Sequence, residues 1–193
     1  MTGFDISKDF FADGECCVEA QIESEIGYAL RTVCPYINVR KSKLGKGITD
    51  GVIRLYDYKQ DYKGFIINES KRDKHFEEIG NEAFVQGMLY AGSFLYDVSL
   101  DKEINASKFI GFFLTTAYDF CFVPIKENWD IVEKFYPIYK KYHYIAPHKA
   151  LTESVLKDFA SSITLKCKLY TLDKNFILDD LINTIYSKYG INS

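Results

Sequence analysis

Two apolar runs in the first third of the chain predict a pair of neighbouring strands. They occupy residues 47–56 and 64–71, and each has the length and the β-branched content of a strand. The segment between them is polar and ends at Gly64, which is typical of a hairpin loop. We therefore predict antiparallel strands that bring Asp50 close to Glu69, with Lys71 on the same strand face as Glu69.

Helical and strand-like patterns alternate along the rest of the chain. Apolar residues recur at helical spacing, and proline and glycine mark several ends. The helices predicted in this way span about residues 15–33, 81–94, 130–142 and 175–189, the last one stopping at Gly190. Further strands are predicted at residues 36–40, 109–114 and 118–123, a basic loop at 41–46, and a helix continuing into a strand over 151–169. This alternation indicates an α/β fold.

Composition limits the class of protein. The 193 residues are 47% hydrophobic and 26% charged, which suits one globular domain over residues 1–193. The formal charge of −3 excludes a global basic field, so nucleic-acid binding would need a local patch. Five cysteines without a Cys-x-x-Cys pair argue against a disulfide framework or a structural zinc site. No signal peptide and no run of membrane-spanning length is evident, so we expect an intracellular protein without a membrane segment.

The predicted hairpin brings together chemistry that suits a hard cation. Mg²⁺ and Mn²⁺ take oxygen ligands, and two carboxylates, Asp50 and Glu69, meet there. A bound metal lowers the pKa of a water ligand, and Lys71 can orient that water. The alternative interpretation is an ordinary hairpin that carries a surface Glu–Lys pair. The same choice holds for Glu19 and Glu23 on the first helix, which either face solvent or point at the carboxylates.

The order of these motifs resembles a known enzyme superfamily. Gly47-x-x-Asp50, a hairpin, Gly64-x-x-x-x-Glu69-x-Lys71 and a helix with Gln86-x-x-x-Tyr90 together are similar to the PD-(D/E)XK nucleases, in particular their RecB-type branch. The match covers about residues 15–95. It implies a restriction-endonuclease-like core, with a central mixed β-sheet flanked by helices.

The resemblance also implies roles for individual residues. Asp50 and Glu69 would bind Mg²⁺ or Mn²⁺, Lys71 would assist the attacking water, and Gln86 and Tyr90 would position the substrate or the site.

The resemblance also implies roles for further positions. Members often add an acidic residue from the preceding helix, for which Glu19 is the first choice and Glu23 the second. The carbonyl of Ser70 is a further candidate metal ligand. Arg72 and Lys74 are candidates for a phosphate contact.

The expected function is that of a metal-dependent deoxyribonuclease whose partner is nucleic acid. The residues do not distinguish DNA from RNA, because the site contacts phosphate rather than base or sugar. Two alternatives stay open: a catalytically inactive binding protein with the nuclease fold, and a protein whose Asp50, Glu69 and Lys71 form only a salt-bridge network. The negative net charge also leaves open whether a second subunit of a homodimer or a partner protein supplies part of the nucleic-acid-binding surface.

Overall fold

A computed structural model describes residues 27–28, 30–31, 37–44, 47–71, 75–96, 108–116, 118–171 and 178–191. The strands are β1 (Ile37–Leu44), β2 (Gly47–Tyr56), β3 (Tyr62–Ser70), β4 (Phe109–Thr115), β5 (Asp119–Pro124) and β6 (Lys168–Thr171). The helices are α1 (Phe76–Tyr96), α2 (Trp129–Tyr142), α3 (Pro147–Ala150), α4 (Ser154–Ser162) and α5 (Leu178–Lys188), with a 3₁₀ turn at Lys126–Asn128.

The strands form one mixed sheet in the order β1-β2-β3-β4-β5-β6. Strands β1, β2 and β3 are antiparallel neighbours, β4 runs parallel to β3, and β5 and β6 return antiparallel. A parallel neighbour requires a crossover, and α1 lies in the connection between β3 and β4. The α/β class and the mixed sheet flanked by helices follow directly from this arrangement.

Helices cover both faces of the sheet, so the central strands are apolar on both sides. On one face, Ile67 and Phe112 lie in a core with residues of α1, α2 and α4. On the other face, Ile66 and Phe113 lie in a second core that includes residues of α5. Leu30, which is helical and fully buried, joins this second core.

The hairpin of β2 and β3 is confirmed, with small changes in its bounds. Gly51 pairs with Asn68 and Val52 with Ile67. Strand β3 begins at Tyr62, two residues before the predicted start. In the turn, Asp57 Oδ1 accepts hydrogen bonds from the backbone N–H groups of Lys59 and Asp61, both at 2.9 Å.

Three predicted boundaries are wrong. The segment from Lys41 to Leu44 is not a loop, because β1 continues through it and Leu44 pairs with Gly47. Helix α1 begins at Phe76 rather than near residue 81. The last strand is β6 at Lys168–Thr171, whereas residues 163–167 are irregular.

Other predictions hold in full or in part. Strands β4 and β5 form the expected antiparallel pair. The predicted helix over 130–142 is present as α2, but the interruption expected at Pro137 is wrong, because the helix runs through that residue. Helix α5 is followed by Gly190 with a φ of 61°, a left-handed conformation that favours glycine. Among the described residues, no helix is both long enough and apolar enough to cross a membrane.

Candidate active site

The hairpin register places Asp50 beside the end of β3. Since Gly51 pairs with Asn68 in an antiparallel ladder, Asp50 lies next to Glu69 on the adjacent strand. The backbone N–H of Ser70 donates a hydrogen bond of 2.7 Å to Asp50 Oδ2. This bond fixes the orientation of the Asp50 carboxylate at the sheet end where β2 begins and β3 finishes.

Glu69 is a buried carboxylate with a basic neighbour. Its side chain is 2% exposed, and its Oε1 lies 2.6 Å from Lys71 Nζ. Lys71 is 27% exposed, so its ammonium group reaches both the carboxylate and solvent. A buried charge is costly unless it is neutralised, and Lys71 supplies an opposite charge here.

Strand β4 anchors Lys71. Its backbone N–H donates to the carbonyl oxygen of Thr115 at 2.8 Å, which continues the β3–β4 pairing one residue beyond Ser70. The main chain of Lys71 is therefore fixed by the sheet, and its side chain returns to the Glu69 carboxylate.

Helix α1 brings Gln86 and Tyr90 to the same place. Gln86 Nε2 donates to Tyr90 Oη at 3.3 Å, as their four-residue spacing predicts. Burial raises the pKa of the Tyr90 phenol, and the hydrogen bond with Gln86 partly offsets this increase. Smaller effects come from Glu69 and Asp50, which raise the pKa, and from Lys71, which lowers it. The phenol is thus within electrostatic reach of all three charged groups, and it remains a protonated hydrogen-bond donor at neutral pH.

The side chain of Ser70 belongs to the opposite face of the sheet. Its hydroxyl accepts a hydrogen bond from Asn68 Nδ2 at 2.9 Å and lies 2.9 Å from Thr115 Oγ1. These three buried polar side chains link β3 to β4 directly behind the carboxylates. Sequence reasoning missed Asn68 and Thr115, although polar residues inside an apolar strand were a usable signal.

Asp119 fixes the start of α1 near the same edge of the sheet. Its Oδ2 accepts a hydrogen bond from the backbone N–H of Phe76 at 2.8 Å and lies 3.2 Å from His75 Nδ1. The ring of Tyr118 stacks on that of His75, with 4.6 Å between centroids. Asp119 was not predicted as a helix cap, because it lies 43 residues further along the chain.

The structure thus brings Asp50, Glu69, Lys71, Gln86 and Tyr90 to one region, together with the main chain of Ser70. Four other predicted site residues lie outside the described residues: Glu19, Glu23, Arg72 and Lys74.

The donor set fits a hard divalent cation. Asp50 and Glu69 offer carboxylate oxygens only, one of them held in a buried position, which is the chemistry that Mg²⁺ and Mn²⁺ prefer. Within the described residues, no group of three or more His, Cys, Asp and Glu side chains comes together. Two protein carboxylates with the other positions left to water and phosphate are common at Mg²⁺ sites.

A cavity of about 420 Å³ lies elsewhere, between the start of α1 and α4. Its wall contains Glu77, Glu78, Glu82 and Lys157, and neither Asp50 nor Glu69 contributes to it. The carboxylates lie instead where β2 begins and β3 ends, outside this cavity.

Comparisons with protein-family models, with curated proteins and with solved structures find no match for this chain. The chemistry of the site therefore has to be inferred from its own donors, charges and burial.

Proposed function

We propose that this protein is a metal-dependent nuclease that hydrolyses phosphodiester bonds of nucleic acid, with DNA as the preferred substrate. The observation that carries the proposal is the buried Glu69 carboxylate beside Asp50, with the Lys71 ammonium 2.6 Å from it. Two carboxylates and an ammonium group at one end of the sheet are groups that suit metal-assisted hydrolysis.

The order of elements supports the finer description of the fold as restriction-endonuclease-like. The hairpin that carries Asp50 and Glu69 is followed by a helix with Gln86 and Tyr90, and then by two strands that extend the mixed sheet. This is the sequence of elements that the resemblance to PD-(D/E)XK nucleases implies.

In the proposed mechanism, Asp50 and Glu69 would hold Mg²⁺ or Mn²⁺. When bound, the metal lowers the pKa of a water ligand and offsets the charge of the scissile phosphate. The Ser70 N–H keeps the Asp50 carboxylate oriented, which is the task of an outer-shell hydrogen bond at a metal site.

Lys71 contributes charge and orientation. Its ammonium donates hydrogen bonds to the attacking water and to the phosphate oxygens, where negative charge increases during attack. The water loses a proton to solvent as its oxygen forms a bond to phosphorus. The bond to the leaving oxygen breaks, and that oxygen takes up a proton from solvent, so no covalent enzyme intermediate is required.

Tyr90 and Gln86 hold the substrate in this scheme. The protonated Tyr90 phenol donates a hydrogen bond towards a phosphate oxygen, and Gln86 fixes its orientation through their 3.3 Å contact. Both belong to a helix whose start is attached to β5 by Asp119, so their position relative to the carboxylates is fixed.

The tight ion pair of Lys71 and Glu69 is also compatible with a nuclease-fold protein that binds nucleic acid without cutting it. The two functions differ in one measurable property, since only the enzyme converts the substrate.

The test is cleavage of supercoiled, linear and single-stranded DNA and of RNA by the purified protein in EDTA, Mg²⁺ or Mn²⁺. We expect cleavage only with metal, lost in Glu69→Gln and kept in the matched control Glu82→Gln, whose residue is exposed on α1. Binding without cleavage by the wild-type protein would contradict catalysis and favour the inactive alternative.

A further inference from the structure

Two cysteines are neighbours near the edge strand β6, one within the sheet and one directly before this strand. Cys121 lies in β5 and pairs with Leu169 of β6. Cys167 directly precedes β6 and lies two residues before Leu169, which places it beside β5 and near Cys121. Cys121 is fully buried, whereas Cys167 is exposed.

A buried amide fixes the segment that carries Cys167. Asn128, which is fully buried, donates from Nδ2 to the carbonyl oxygen of Lys166 and accepts at Oδ1 from its N–H, both at 2.8 Å. The residue before Cys167 is therefore held by two hydrogen bonds from one amide, which also donates to the carbonyl oxygen of Pro124 at the end of β5.

The two thiols have unequal acidity because they share a hydrogen bond. The Cys121 S–H donates to the Cys167 sulfur, which lowers the pKa of Cys167 to about 7. The same hydrogen bond, together with burial, raises the pKa of Cys121. Cys167 is thus the exposed nucleophile at neutral pH, and Cys121 is the buried proton donor beside it.

We propose that Cys121 and Cys167 form a peroxide-sensitive dithiol site that oxidises reversibly to an intramolecular disulfide. The Cys167 thiolate attacks one oxygen of hydrogen peroxide, the O–O bond breaks, and a sulfenic acid and hydroxide form. The Cys121 sulfur then attacks the Cys167 sulfur, and the sulfenic oxygen leaves as water. Two thiols and one peroxide give one disulfide and two waters, and a dithiol reductant reverses the change.

A protease that cleaves on the N-terminal side of aspartate residues places the cysteines of interest in different peptides. Cys121 falls in the peptide 119–129, Cys167 in 158–172, and the other three cysteines in 13–49. The protein is treated with peroxide, alkylated and then digested. We expect mass spectrometry to detect a disulfide-linked pair of peptides 119–129 and 158–172, with a mass two hydrogen atoms below the sum of the two reduced peptides. Both free peptides should decrease by the same fraction and return with dithiothreitol.

Two variants separate the roles of the thiols. Cys167→Ser, at an exposed position, should give no cross-link and leave Cys121 unoxidised because it is buried. Cys121→Ala should stop at the sulfenic acid of Cys167, detected as a dimedone adduct. If that variant does not fold, the peptide map of the wild-type protein still shows whether the disulfide between Cys121 and Cys167 forms.

Several results would overturn the proposal. One is conversion of wild-type Cys167 to sulfinic or sulfonic acid without a cross-link. Another is a cross-link that joins 158–172 to 13–49 instead. A third is disulfide formation to the same extent in urea as in the folded protein, which would show that the fold does not bring the two cysteines together.

Discussion

Replacement of Lys71 by Met tests how the structure keeps a carboxylate buried. The substitution retains a long apolar side chain and removes the ammonium 2.6 Å from Glu69 Oε1. Glu69 is 2% exposed, so water solvates its charge poorly once the ammonium is absent. We expect Lys71→Met to destabilise the fold at neutral pH in EDTA.

The magnitude follows from the burial of the two partners. Removal of one partner from a fully buried ion pair costs about 3–5 kcal/mol. Lys71 is 27% exposed, so the pair is partly screened and we expect about 2 kcal/mol. For a chain of 193 residues this corresponds to a fall in Tm of roughly 4–8 °C.

The double variant Glu69→Gln/Lys71→Met supplies the internal control. It removes both charges, and neutral replacement of a buried pair is often close to neutral in stability. We therefore expect its free energy of unfolding to be within about 1 kcal/mol of wild type.

Urea unfolding at pH 7, followed by circular dichroism, measures all of these values. Added Mn²⁺ should stabilise Lys71→Met more than wild type, because no ammonium competes for Glu69. The expected gain is about 2 kcal/mol when Mn²⁺ is at about thirty times its Kd. Equal stability of Lys71→Met and wild type would refute the reasoning. So would a double variant as unstable as the single one, since the loss would then come from packing of the lysine stem.

Three further predictions concern the scaffold. Gly92→Ala should lose about 1–3 kcal/mol in urea unfolding, because its Cβ would lie 1.8 Å from a ring carbon of the buried Tyr139. Asp57→Asn should weaken the fall of stability in acid. Lys63, 2.8 Å away, lowers the pKa of Asp57 from its ordinary value, so this carboxylate stabilises the fold above about pH 4 and ceases to do so as pH falls through the lowered pKa. Asp119→Ala should cost about 1–2 kcal/mol, because it removes the oxygen that caps α1, and should speed amide exchange in its first turn.

Each of these has a contradicting outcome. A Gly92→Ala protein as stable as wild type would mean that Tyr139 moves aside without cost. An unchanged acid profile in Asp57→Asn would place the acid sensitivity on other carboxylates. Unaltered exchange at the start of α1 in Asp119→Ala would show that the helix needs no cap from β5.

The hairpin and its polar residues could be predicted from the sequence because they depend on local information. A side-chain period of two and a polar loop fix which residues share a face, and these put Asp50, Glu69 and Lys71 together. The pairing of Gln86 with Tyr90 follows in the same way from the helical period.

The remaining features depend on partners distant in the chain. Lys41 to Leu44 has the composition of a loop, yet pairing with the start of β2 supplies backbone hydrogen bonds that composition does not show. Helix α1 starts at Phe76 because Asp119 caps it from another strand. The meeting of Cys121 and Cys167 depends on the β5–β6 register, which no local motif encodes.

The most direct test of the central claim measures metal binding and phosphodiester cleavage on the same samples. Three proteins are titrated with Mn²⁺ by calorimetry and then incubated with DNA and RNA: wild type, Asp50→Asn and the control Asp61→Asn. The side chain of Asp61 lies in the same hairpin and is 68% exposed. The account predicts Mn²⁺ binding and metal-dependent cleavage by wild type and Asp61→Asn, and loss of both in Asp50→Asn. Absence of Mn²⁺ binding and of cleavage in the wild-type protein would contradict it.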